Sequence, residues 1–379
     1  MKNSEKEKNY GRNMATASVA AAAAAVTAPV IGGFIINRRR KALDDDDFIA
    51  SDAAGFVTAR GEKTEINGIN LLDFTFGCRE GNELIPGGVR ASFETLKARF
   101  GDYGAREIFG KCFENAVSPA DIKEIAKAGI NCVRLPVRSF LLFKEEKVSK
   151  KDKPHLKRLD KFISKCAKSG IYVILTCSDA PGYNPDAGEY GIFEMGKKAF
   201  SKRSEFVRMC SEISTHYKDN PAVLGYELPF AELEGEQNEK DKKIYYSLCI
   251  RTAKALRTFN DRHLIFADSR GLPDDTAELK SYGFGVIADM DSQNLNELMQ
   301  SLPPEMPLTA VSEGAFGNDE IIALPGDIGR ISGYFKGSNT DNCIYCKPKD
   351  FIDTVADSYD EICEKVSKPS LTENFMKLG

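Results

Sequence analysis

Tryptophan is absent from the 379 residues, and histidine occurs only as His155, His216 and His263. The first absence removes the largest aromatic platform a side chain can offer. The second leaves little for imidazole chemistry, because His155 starts a helical pattern, His216 lies within one and His263 opens a strand. No glycine-rich phosphate loop follows the first apolar strand, which disfavours a dinucleotide-binding sheet. An excess of one charge is missing too: 52 basic and 56 acidic side chains give a net charge of −4, so no nucleic-acid partner is implied. The ten cysteines form no spaced framework. Cys132, Cys166, Cys177, Cys210 and Cys249 fall within apparent helices and strands, as reduced thiols of a cytosolic protein do. The one CxxC pair, Cys343 and Cys346, has no second pair and no histidine nearby, so no metal and no cofactor is expected.

Residues 1–47 are compositionally separate and are assigned as a tail. Within them, 14–37 is an uncharged, Ala-rich run long enough to span a bilayer, though Pro29, Gly32 and Gly33 interrupt it. Two readings stay open, a membrane anchor and an Ala-rich tail or processed segment. As an anchor, its tighter basic cluster, "RRRK" at 38–41, would leave the main domain in the cytoplasm. Basic residues are nearly balanced across the run, so the extracytoplasmic orientation also stays open.

From residue 48 to 379, short apolar runs alternate with amphipathic segments. Strands are expected at 66–74, 130–137, 171–177, 222–228, 263–268, 283–289, 308–313 and 330–335. Helices are expected at 118–129, 155–170, 203–218, 241–259, 293–302 and 350–366. Ser118 and Pro119 occupy cap and first-turn positions, and Gly129 and Gly170 end their helices. The alternation fits an α/β fold with a parallel sheet, and eight such units favour a single-domain (β/α)8 TIM barrel over an open sheet.

In such a barrel the functional groups sit where strands end and βα loops begin. Arg134 and Glu313 are charges inside otherwise apolar strands, and such charges are costly to bury unless paired. An Arg134–Glu313 ion pair that merely fixes the barrel is one reading of them; a functional role is the other. The fourth strand runs into Glu227, Glu232, Glu234 and Glu236, in "GYELPFAELEGE".

These segments carry a resemblance to glycoside hydrolase family 5, the cellulase and exoglucanase group of retaining barrel enzymes, over nearly all of residues 56–366. "DIKEIAKAGINCVRLPV" is similar to that family's second helix and strand, with its buried arginine at Arg134. "GIYVILTCSDAPG" resembles its third strand and loop, and "YKDNPAVLGYELPFAE" its fourth. "PLTAVSEGAFG" resembles the strand bearing the nucleophile, which would be Glu313, and "GYFKGSNTDNCIYC" the segment after the eighth strand. The resemblance implies a sugar pocket that includes Asn70, Arg134, Ser178, Phe230 and Ala231. It also implies a β-glucan or another oligosaccharide as ligand.

Departures concentrate in that pocket. The family's pocket histidine falls on Ser178, and its Asn-Glu pair, the second residue being the general acid/base, falls on Phe230 and Ala231. Its His-x-Tyr has no counterpart in "YGFGVIADMD", and its sugar-platform Trp falls near Gly333. Retaining hydrolysis needs two carboxyl groups roughly 5–5.5 Å apart, and alanine cannot transfer a proton. The pattern implies a pseudo-glycosidase that binds glycan or serves as a scaffold for a protein partner. The alternative is an active retaining β-glycosidase with Glu313 as nucleophile and Glu232 as a relocated acid. A third reading, with Cys177 as a nucleophile, lacks an evident base.

Overall fold

The computed structural model describes residues 41–53, 55–71, 88–144, 151–185, 188–228, 230, 238–290, 295–312 and 328–335. The apolar run 14–37, the helix expected at 350–366 and Cys343 and Cys346 lie outside the described residues. Among those that are described, no helix is long and apolar enough to cross a membrane.

Ten strands are numbered in chain order. Two form an antiparallel hairpin, β1 (Ile49–Asp52) and β2 (Gly55–Thr58). The other eight close into a parallel barrel: β3 (Asn67–Leu71), β4 (Cys132–Arg138), β5 (Tyr172–Asp179), β6 (Val223–Leu228), β7 (Leu264–Asp268), β8 (Phe284–Asp289), β9 (Leu308–Ser312) and β10 (Gly329–Phe335). β10 pairs with both β9 and β3, which completes the ring and leaves no open edge. All eight strands fall where the apolar runs place them, and the fold is the (β/α)8 barrel.

Eight helices are described: α1 (Gly88–Ala116), α2 (Pro119–Lys127), α3 (Ser139–Leu142), α4 (Lys153–Lys168), α5 (Lys197–Tyr217), α6 (Asn238–Thr258), α7 (Ala277–Lys280) and α8 (Leu295–Ser301). α2 begins as its sequence dictates. The Ser118 hydroxyl accepts from the Asp121 N–H at 3.2 Å, and the Asp121 carboxylate accepts from the Ser118 N–H at 2.7 Å. α1 and the β1–β2 hairpin go beyond the elements expected from the sequence. α1 is two helical pieces joined at Gly101, whose φ of 72° interrupts the apolar periodicity. α5 starts six residues earlier than expected, because Gly196 precedes it without a side-chain cap to mark the start.

The barrel interior is layered. Tyr172, Ile174, Leu224, Leu264, Phe266, Ile287 and Ile331 fill its lower part with Cys132. Ile49 and Phe56 of the hairpin join that cluster and close the end where the strands begin. Phe266 fits because its neighbours are small: a methyl group at Gly225 or Gly285 would stand 2.8 Å from its ring. Leu43 packs on this core, its N–H donates to the Ala167 carbonyl at 2.9 Å, and the Tyr172 hydroxyl donates to the Asp47 carbonyl at 2.9 Å. Residues 43–47 therefore pack with the barrel.

The larger core lies between the strands and the helices. Cys132, Cys166, Cys177, Cys210 and Cys249 are buried as free thiols. Burial pushes Cys132, Cys166 and Cys249 far above the usual thiol range.

Candidate active site

Above the apolar layers, the interior turns polar where the strands end. Alternation along β5 sends Ile174 and Thr176 inward, while Val173, Leu175 and Cys177 pack outward with Phe206 and Met209 of α5. Cys177, 2% exposed, thus faces helices and not the barrel mouth, which removes the geometry the nucleophile reading needs.

Arg134 and Glu227 form the centre of the polar layer. Arg134 Nε donates to Glu227 Oε2 and Nη2 to Oε1, both at 2.6 Å. Thr176 Oγ1 donates to the same Oε2 at 2.7 Å. On the other side, Arg134 Nη1 donates to Asn70 Oδ1 at 3.1 Å, and Asn70 Nδ2 donates to the Ser312 carbonyl at 3.1 Å. One network thus ties β9, β3, β4, β5 and β6 together. Side-chain exposure is 24% for Arg134 and 7% for Glu227, so the guanidinium reaches the mouth while the carboxylate lies beneath it. Desolvating a carboxylate this far is tolerated only when a bidentate partner and a further donor satisfy it.

A second arginine–carboxylate pair closes the next strand. Arg270 donates to Asp268 from Nη2 at 2.6 Å and from Nε at 3.0 Å. Burial pushes the Asp268 carboxyl above its ordinary range; Arg270 opposes that shift and the Glu227 charge adds to it. Tyr245, fully buried, donates to the Leu228 carbonyl and accepts from the Asp268 N–H, both at 2.8 Å, which fixes the ends of β6 and β7 together. Asp268 bears the same signal as Arg134, a charge within the apolar run "HLIFAD", and that signal could have found it.

Asn70 and Arg134 share this network, and Ser178 sits nearby on β5, half-buried, its hydroxyl on the Thr176 carbonyl at 3.3 Å. Phe230 is 5% exposed. Its ring meets Phe193 edge-on at 5.7 Å and lies 4.9 Å from Tyr245, so it packs into the core behind the β6 end rather than standing free in the mouth. Ala231, Glu232 and Glu313 lie outside the described residues. The described partner of Arg134's Nε and Nη2 is therefore Glu227, whereas the sequence singled out Glu313. Among the described residues, no group of three or more His, Cys, Asp or Glu is placed to hold a metal ion.

Residues 103–306, more than half of the chain, match the cellulase family, glycosyl hydrolase family 5. The chain belongs to glycosyl hydrolase family 5. The family 5 chain is also similar to a β-xylosidase of Phanerodontia chrysosporium, with 29% identity over 173 residues. That match covers 44% of this chain and 35% of the relative, so the chain spans about a third of the length of the relative it matches. Among solved structures, an endogalactoceramidase superposes with a TM-score of 0.52 at 13% identity, covering 76% of this chain and 74% of that one. A β-glucanase of Saccharophagus degradans gives a TM-score of 0.47 at 15% identity, covering 85% of this chain and 97% of that one. At 13% identity the endogalactoceramidase superposition speaks for the fold alone.

Proposed function

We propose that this family 5 barrel is a degenerate glycosidase, one that holds an oligosaccharide or serves as a scaffold and does not hydrolyse glycosidic bonds. The observation that carries the reading is the Arg134–Glu227 pair. Glu227 offers a bidentate salt bridge on both oxygens and accepts from Thr176 as well. With both oxygens engaged by Arg134 and Thr176, Glu227 has no oxygen turned to a leaving group. Asp268 is also clasped on both oxygens by Arg270, against the burial that pushes its carboxyl upward. The position that the family resemblance gives to the general acid/base is Ala231.

The family makes glycans the ligand class. The mouth presents Arg134 and Arg270 to such a ligand, with Asn70 buried behind Arg134, and guanidinium groups bind hydroxyls without transferring protons to an oxygen leaving group.

The test is a hydrolysis and binding screen of the full chain against aryl β-glycosides, β-glucans and oligosaccharides, with Ala231→Glu alongside. The variant leaves Phe230 in place, because its ring is built into the core. Binding without turnover in the native chain, with turnover appearing in the variant, is the expected result. Native turnover that disappears in both Glu313→Ala and Glu232→Gln would replace this reading with that of an active β-glycosidase.

A further inference from the structure

The two most exposed large apolar side chains among the described residues stand five positions apart, Met195 at 69% and Phe200 at 59%. They bracket the start of α5, which follows the loop leaving the C-terminal end of β5, so they lie on the rim of the mouth face. Their spacing is that of a hydrophobic staple, an apolar residue before the cap packed on the fourth helical residue. A staple stabilises by burial, and these two side chains leave most of their surface in water.

What surrounds them is positively charged. Lys197 and Lys198 are exposed in the first turn of α5, and Lys202, half-buried with its side chain against Gly182 and Gly191, follows one turn on. Arg251 reaches over from α6, its guanidinium 5.0 Å from the Phe200 ring and 3.2 Å from Ser204 Oγ. None of these four cations has an ion-pair partner among the described residues, and the nearest carboxylate in sequence, Glu194, begins the patch's edge. The first turn of α5 contains no acidic residue, so the lysines oppose the helix dipole. On a chain of net charge −4, four cations around two solvent-facing apolar side chains are a local reversal.

We propose that Met195, Phe200, Lys197, Lys198, Lys202 and Arg251 form a surface that docks the barrel on an anionic lipid membrane. Apolar side chains that enter the acyl boundary, ringed by long cationic side chains that stay at headgroup level, match such an interface. A soluble polyanion would use the charges and leave Met195 and Phe200 without a role. Docking in this way would bring the rim of the mouth to the lipid surface. The proposal does not depend on whether the pocket hydrolyses anything.

Co-sedimentation of the full chain with vesicles of phosphatidylcholine, alone or with about 30% phosphatidylserine, tests it. Binding should require phosphatidylserine and weaken with salt. Each lysine near an anionic surface contributes about fivefold, so Lys197→Glu with Lys198→Glu should cost about 25-fold or more. Met195→Ser with Phe200→Ser should also weaken binding, with all cations intact. Variants that bind vesicles as the native chain does would overturn the proposal. So would a Met195→Ser/Phe200→Ser chain with undiminished binding, beside a lysine variant that loses vesicles and soluble polyglutamate alike; that pattern marks a site for an acidic macromolecule.

Discussion

Arg134 of the second barrel strand and Glu227 of the fourth meet across the mouth in a two-bond clamp, with both N–O distances at 2.6 Å. The pair spans the interior and is itself held by Asn70 and Thr176. Removing one partner leaves the other charge stranded in a desolvated layer. Glu227→Leu should therefore cost about 3 kcal/mol in urea denaturation, and Arg134→Met a similar amount. Arg134→Met combined with Glu227→Leu should recover a large part of that loss. Strict additivity of the two single changes would show that they are not coupled.

Phe230 should behave as a core residue. With Phe193 and Tyr245 against its ring, Phe230→Ala should lower stability by about 3–5 kcal/mol. Phe230→Asn should cost at least as much, because it adds an amide to an apolar site. Thermal denaturation of both variants checks this, and a change in melting temperature within error would place the ring in solvent.

Glycines in this barrel are spatial, and two substitutions separate the reasons. Gly225→Ala would drive a methyl group into the Leu264 carbonyl and the Phe266 ring, at a cost of about 1–3 kcal/mol. Gly61 has open space around it but a φ of +78°, so Gly61→Ala should cost only about 1 kcal/mol, from backbone strain. Equal losses would mean that the collision at Gly225 relaxes away.

His155 makes the fold sensitive to acid. Burial, assisted by Arg158 and Arg106, lowers its pKa to about 3, so the ring is neutral in the folded chain. The unfolded chain takes up that proton below about pH 6.5, where the folded one does not. This contribution to stability is complete above that pH and is lost as the pH falls from about 6.5 toward 3. His155→Leu should flatten the stability profile across that window. An unchanged slope would show that other groups set it.

The sequence made the barrel strands legible because a parallel strand buried on both faces is a continuous apolar run, such as "IYVILTC", closed by glycine, proline or a charge. Local signals also exposed α2, through Ser118 and Pro119. α1 gave no such pattern, since Gly101 breaks it into two pieces, and the start of α5 lacked a capping side chain. The site was legible in part. A charge in an apolar strand identifies Arg134 on inspection, but its partner Glu227 lies 93 residues on, and only closure of the barrel brings them together. Asp268 and Arg270 are two residues apart, so their pair is local, and the charge at the end of the apolar run "HLIFAD" was its signal.

Hydrolysis of aryl β-glycosides and β-glucans by the full chain is the most direct test of the central claim. A degenerate barrel should give no turnover above background at any pH, and Glu313→Ala should change nothing in that assay. Turnover in the native chain that Glu313→Ala abolishes would contradict it.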